Sequence, residues 1–509
     1  MGKYTPIGFD PLGIVKDTNP LDVDEASYTN ATNMRFTDRT AEKFLGESEG
    51  DVTTEQATHL LFNGDHSDPA WVYAGDGLVR VTDFVTDTDL SNTAVVASST
   101  NWDSSLFNTF PVLNNAVDPP WYWDKNPAND VAALPAFPAN TICESIRPFR
   151  SFMVAMNTTT SGTVSPNRVL WSDASDAGAL PASWDITDPT TLAGDAYLTD
   201  DRGEIIDGHQ LRDMFVIYKT HSIYLMRLVG GTSVMAIDKM QVNSGLLTKN
   251  CITEFKGHHF VASDGDIVVF DGQNVESIAA KRVRNAIFSG IDSTNVENSY
   301  VVRNDTKNEV WFCYPETGAT WSTVAAVWNW KDDTWTFRDL PDSRHLASGL
   351  ANMVPSPTYN ATTTTYNATT DFYHQYNQNS TADNIAGAAT LAINQLDQTN
   401  DFDGAAMASS LEKLSMDFGD PENIKMIKSV RPRITADAGT KIYIRLGTQD
   451  HPDDQINWGN EVVYMVGTDR EAYFTTKGRF ISIRMRTQDT GVHWKCHGFA
   501  FDKIHCGKY

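Results

Sequence analysis

The sequence lacks a disulfide framework, a long apolar run, helix-forming tracts and an excess of basic residues. Its five cysteines, Cys143, Cys251, Cys313, Cys496 and Cys506, are odd in number and widely spaced. They do not read as a cross-linked scaffold, and they fit assembly in a reducing compartment. No stretch reaches the roughly 18 consecutive apolar residues of a membrane-spanning helix. Met1–Pro6 carries no apolar signal region, so neither signal-peptide secretion nor membrane insertion is expected. Lys and Arg number 40 against 65 Asp and Glu, a formal net charge of −25. That balance argues against a protein that grips nucleic acid over its whole surface, because phosphate binding needs cations. It is compatible with a wall past which DNA slides without sticking, and equally with plain solubility. Phosphate-binding Gly-rich loops, nucleophile elbows and paired-His zinc motifs are absent as well.

Aromatic residues and strand formers are present in quantity. The 509 residues include 13 Trp, 17 Tyr and 24 Phe, ample area for a core. Thr, Asn, Asp and Val favour strands and polar turns. From about residue 56 to 350 one unit recurs: a short apolar strand, a turn rich in Asp, Asn or Gly, and a second apolar strand. Trp71–Val81 turns at Gly75-Asp76-Gly77, Phe215–Met226 at Lys219-Thr220-His221, and His259–Gly272 at Asp264-Gly265-Asp266. Weaker copies begin at Phe110, Phe152 and Val310. The starts at 71, 110, 152, 215, 260 and 310 are separated by 39, 42, 63, 45 and 50 residues. A period of about 40–50 residues is that of a four-stranded blade, so the pattern predicts an all-β fold with a six-bladed β-propeller. Stacked sandwiches of unrelated hairpins are the competing reading.

The rest of the chain divides around this repeat. Residues 1–55 are too poor in apolar runs to build a core and are expected to form a strap packed on the C-terminal platform. Residues 351–405 read as a polar, low-complexity insertion or linker, Thr- and Asn-rich over 356–380. Within it, Ala386–Ile393 could form a short helix. Residues 406–509 return to period-two alternation, as in Lys441–Leu446 and Arg479–Arg486, and predict a separate antiparallel β-sandwich. Charge marks the same boundary: Leu411–Tyr509 carries 15 Lys and Arg against 13 Asp and Glu, the preceding residues 25 against 52.

Candidate chemistry is sparse. His493, Cys496, His497, His505 and Cys506 suggest metal ligands, but neighbours on a strand point to opposite faces, so they read as ordinary sheet residues. Asp264 and Asp266 flank a glycine, which is turn chemistry. Ser172–Gly178 resembles a sialidase-type Asp box, with Trp184 too far along. Glycosidase action needs two placed carboxylates that sequence cannot single out. No catalytic, cofactor or metal site is therefore assigned. The basic residues Lys425, Lys428, Arg431, Arg433, Arg484 and Arg486 are either a solvated sheet face or a subunit interface for an acidic neighbour.

Several stretches resemble a known family. They are Gly203–Gly208, Leu211–Tyr218, Ser222–Tyr224, Gly245–Leu247 with Cys251, Val283–Phe288, Asn308–Phe312, Gly478–Arg484, and Trp494 with Gly498-Phe499; Asn33–Phe36 adds to them. Over residues 200–509 the chain is similar to the tail nozzle proteins of short-tailed bacteriophages, also called tail tubular protein B or the packaged-DNA stabilisation hub. The resemblance implies a non-enzymatic virion tail component assembled in the host cytoplasm. It implies a homohexameric ring beneath portal-side or adaptor proteins, in contact with tail fibre, tailspike or needle proteins. DNA would be held back by the ring and pass through it without sequence recognition. The alternative is a glycan-binding or glycan-cleaving propeller of a receptor-binding tail component.

Overall fold

The computed structural model describes residues 4–7, 13–24, 27–64, 70–82, 86–91, 96–99, 101–230, 233–341, 343–349, 384–451 and 453–507, with the side chains of 4–7 and 384–386 excepted. The Thr- and Asn-rich run at 356–380 lies outside these residues. The chain folds into a β-propeller joined to a β-sandwich.

Among the described residues the propeller has seven four-stranded antiparallel sheets. Blades 1 to 6 occupy residues 59–89, 103–133, 141–197, 205–239, 252–277 and 300–339. In each, strands run outward from the axis in chain order. The six repeat starts fall on the second strand of each blade: Ala70–Gly75, Phe110–Asn114, Phe152–Thr160, Met214–Lys219, His258–Ser263 and Glu309–Tyr314. These strands sit inside the blade with both faces covered, so they are the most continuously apolar. Every residue of Glu309–Tyr314 is buried. Hairpins are tight: Asn108-Thr109, Ser161-Gly162 and Lys256-Gly257 each place two successive residues at positive φ. That geometry matches the twist of the strands it joins.

The expected count of six is corrected to seven. The seventh blade is assembled from two distant parts of the chain. Its inner three strands are Leu346–Gly349, Asn384–Ala389 and Ala392–Leu396, and its outermost is Glu47–Val52. The segment 351–405 is thus not a linker throughout. The helix considered for Ala386–Ile393 is instead a hairpin, turning at Thr390-Leu391 with Leu391 at φ 57°. Leu60, Trp71 and Tyr73 of blade 1 pack on Ala388 and Ile393 of blade 7, which closes the ring.

The sandwich carries both ends of the described chain. One sheet runs Met34–Thr37, Thr40–Lys43, Trp494–Gly507, Ile424–Ala436, Ala472–Gly478, with Tyr4–Ile7 also paired to Trp494–Gly507. The other runs Asn30–Thr32, Ser409–Met416, Phe480–Thr487, Lys441–Gln449, Asn457–Met465. Ile427, Val430, Phe499 and Phe501 meet Ile444, Ile481, Ile483 and Met485 between them. Residues 1–46 and 411–509 together carry 20 Lys and Arg against 20 Asp and Glu, while residues 47–410 carry 20 against 45. The whole net charge of −25 therefore belongs to the propeller segment, and the sandwich segments are neutral.

The joint between the two units is polar and buried. Asn33, at φ 55°, is the pivot where the chain leaves one sandwich sheet for the other. Its backbone N–H donates to Phe337 O (2.9 Å), and its side chain bonds both Asp339 Oδ2 and Ala408 O (2.7 Å each). Next to it, Arg35 donates to Glu309 through Nε (2.5 Å) and Nη2 (3.1 Å), and to Asp397 (2.7 Å). Arg338 donates to the other oxygen of Asp397 (2.7 Å), and Trp311 Nε1 to Glu309 (3.0 Å). Burial opposes the charge on Asp397, but the two guanidinium groups hold its carboxyl below the usual range. Removing one member of such a pair strands a buried charge, at a cost of about 3–5 kcal/mol. Arg35→Ala is expected to lower stability by that order and to expose the sandwich–propeller joint to protease. Chemical denaturation and limited proteolysis check this; an unchanged midpoint would remove the network from that role.

Candidate functional site

Besides the joint, two places among the described residues gather polar side chains: the propeller axis and one face of the sandwich. At the axis, the innermost strands of neighbouring blades approach one another, and each contributes polar groups. Arg147 of blade 3 makes two bonds to Asp207 of blade 4 (2.9 and 2.6 Å). It also donates to Ser104 O of blade 2 (2.9 Å) and to Asn250 Oδ1, on the lead-in to blade 5 (2.8 Å). Lys249 Nζ donates to Asn101 O (2.9 Å) and Glu144 O (3.1 Å), and lies 3.4 Å from Asp103 Oδ1. Asn250 Nδ2 reaches Trp102 O (2.9 Å). Blades 2 and 5 stand on opposite sides of a seven-membered ring, so these bonds cross the axis.

Burial raises the carboxyl of Asp103. At Asp207 burial acts in the same direction, but Arg147 outweighs it and the group titrates low. Blades 6, 7 and 1 complete the circle: Tyr300 packs at a tilt against His345 (4.7 Å between centroids), and His345 against His59 (4.2 Å). His59 Nε2 bonds Ser104 Oγ at 2.7 Å. At one mouth of the axis lies a cavity of about 340 Å³, with Glu144, Glu204, Lys249 and Glu297 on its wall. Among the described residues the arrangement ties blades together across the axis.

The sequence-predicted cations do not form one patch. Lys425, Lys428, Arg431 and Arg433 lie on the strand Ile424–Ala436, while Arg484 and Arg486 lie on the other sheet. Lys425 is buried with its Nζ donating to Arg479 O (2.6 Å), so it is corrected from an interface residue to an internal one. Lys428, Arg431 and Arg433 are exposed, and Arg433 donates to His497 O (3.1 Å). Arg484 pairs with Glu412 (2.9 Å), and Arg486 grips Glu461 through two bonds (2.8 and 2.9 Å). Arg445, which the sequence reading passed over, joins them: it lies directly opposite Arg484 in the sheet. The three line a cavity of about 370 Å³.

The C-terminal Cys and His residues disperse. His493 faces Glu42 (3.2 Å), His497 bonds Thr435 (3.0 Å), His505 faces Asp420 (3.1 Å), and Cys496 is buried. Asp266 accepts from Ile267 N–H and Ser277 in its hairpin, which is turn chemistry.

No family model matches the chain, and no curated protein matches it. Among solved structures it is similar to PorZ, an essential bacterial surface component of the type-IX secretion system of Porphyromonas gingivalis. The identity is 9% and the TM-score 0.36, over 83% of this chain and 46% of that one. A functionally unknown protein from Desulfotomaculum acetoxidans DSM 771 gives 10% identity and a TM-score of 0.33, over 59% and 90%. YCF48 bound to D1 peptide gives 9% and 0.37, over 69% and 97%. The chain spans less than half the length of the PorZ chain. Likenesses at this level carry no argument about function.

Burial pushes the imidazole of His345 down to about 3. An unfolded histidine takes up its proton near pH 6.5. Between those values the unfolded chain binds the extra proton, so stability falls as pH drops, by about 1.4 kcal/mol per pH unit for this group. Melting temperature is expected to decline from pH 6.5 to 5, with a shallower decline in His345→Gln. Equal slopes in the two proteins would exclude His345 as a contributor.

Proposed function

We propose that the protein is a non-enzymatic structural component of a short-tailed phage tail, forming a homomeric, nozzle-like ring that retains packaged DNA and conducts it during ejection. The observation that carries the reading is the charge partition: a propeller segment holding the entire net charge of −25, joined through a buried ionic network to a neutral sandwich. A conduit for DNA must repel phosphate rather than bind it. Six copies would carry roughly −150 formal charges, felt over a Debye length of about 8 Å at physiological salt. Because the axis of each propeller is crossed by hydrogen bonds, the lumen in this reading lies between copies. Family resemblance over residues 200–509 supplies the sixfold order and the neighbours: adaptor or portal-side proteins on one side, fibre, tailspike or needle proteins on the other.

The glycan-binding alternative has its own observation, the cavity at the axial mouth lined by Glu144, Glu204, Glu297 and Asn101. Carboxylates and amides of this kind hold sugar hydroxyls. Native mass measurement separates the readings. A ring gives a species six times the 56.4 kDa chain mass; a strict monomer, in solution and in particles, together with a hit on a glycan array would favour the alternative.

A further inference from the structure

The face of the sandwich bearing Arg445, Arg484 and Arg486 departs from ordinary sheet design. Arg445 and Arg484 are direct cross-strand partners, and Arg486 lies two residues along on the same face. Like charges placed directly opposite one another destabilise a sheet. A local rule broken without full compensation marks a site retained for another purpose.

Compensation here is partial. Glu461 takes two bonds from Arg486, and Gln488 Oε1 accepts a third at 3.0 Å. Glu412 takes one from Arg484 Nη2. Arg445 has Glu461 directly opposite on its other side, as Arg484 has Glu412, yet it gives only its Nε–H, to Gly459 O (2.6 Å). The Nη groups of Arg445, and Nε and Nη1 of Arg484, have no hydrogen-bond partner among the described residues. Both side chains are steadied by Trp458, whose ring centroid lies 4.6 Å from the Arg484 guanidinium and 6.0 Å from that of Arg445. Their unspent donors border the cavity of about 370 Å³, which shares Arg484 and Arg486 with an adjoining cavity of about 310 Å³.

We propose that this paired-arginine site receives a carboxylate from the propeller of a second copy of the chain. Charge complementarity selects that occupant. The propeller segment carries 45 Asp and Glu against 20 Lys and Arg, and the site offers free guanidinium donors on a neutral unit. A continuous phosphate backbone is a poorer fit, because it would bring several charges against Glu412, Glu461 and Asp339, which line the same two cavities, where a single carboxylate brings one. A single carboxylate seats between them with a forked, charge-assisted pair of bonds. This inference rests on the ring reading.

Sedimentation velocity of the full chain tests it, with wild type beside Arg445→Glu, Arg445→Gln and Arg445→Lys. Wild type is expected to self-associate, more weakly as salt rises. Arg445→Glu and Arg445→Gln should each weaken association at least about tenfold, as removal of one partner of an interfacial charge pair does. Arg445→Lys should recover part of it, and thermal melting should stay as in wild type. Wild-type association by both neutral and acidic variants overturns the proposal alone. A wild type that is monomeric at every concentration overturns the ring reading and the proposal with it. Unchanged assembly with weakened binding to a short DNA duplex would assign the site to phosphate and overturn it as well.

Discussion

Two arginines and two carboxylates buried at one point, Arg35 with Glu309 and Asp397, and Arg338 with Asp397, hold three parts of the molecule in register. Arg35 belongs to the sandwich, Glu309 and Arg338 to blade 6, and Asp397 to the end of blade 7. Taking four charges out of water is tolerable only because they neutralise one another and because aromatic faces cover them. Phe44 and Trp311 do so, with Arg35 4.3 Å from the Phe44 centroid and Arg338 4.8 Å from that of Trp311. The same segment that carries Arg35 runs on into Glu47–Val52, the outer strand of blade 7. Ring closure and docking of the sandwich are thus one event: the strand that closes the propeller leaves the sandwich a few residues after the arginine that pins it.

That coupling explains where the sequence could be read and where it could not. The second strands of blades 1 to 6 were legible because each is buried on both faces and so reads as an unbroken apolar run ended by a turn. Blade 7 was hidden for two physical reasons. Residues 350–383 separate its inner strand from the other two, which breaks the period, and its outer strand comes from the opposite end of the chain. Ala386–Ile393, small and weakly patterned, reads like a helix in isolation, and it is the pairing with Leu346–Gly349 and Glu47–Val52 that makes it sheet. Long-range pairing of this kind leaves no local signal.

The arginine site was half legible for a similar reason. The alternation in Arg479–Arg486 put Arg484 and Arg486 on one face, and that much follows from strand geometry. The alternation in Lys441–Leu446 put Arg445 on one face of its own strand. Only register, set by bulges and loop lengths elsewhere, brings Arg445 opposite Arg484. Lys425 went the other way. It shares its face with the core residue Ile427 two positions along, and the bulge between Ile427 and Ser429 leaves Lys428, Arg431 and Arg433 on the outer face, so its ammonium ends on a backbone carbonyl inside the sandwich.

The closed axis constrains any conduit built from this chain. A propeller whose blades 2 and 5 are bridged by Lys249 and Asn250 cannot open without breaking part-buried hydrogen bonds, one of them from the Lys249 ammonium, each dearer to lose in a low-dielectric interior than at a surface. The propeller is therefore a unit cross-tied at its axis that carries the net charge of the chain. In the ring reading, gating would come from how copies sit against one another, and the groups able to set that geometry are those the fold leaves unspent. On the described surface these include the guanidinium donors of Arg445 and Arg484, which face outward from the one unit that carries no net charge of its own.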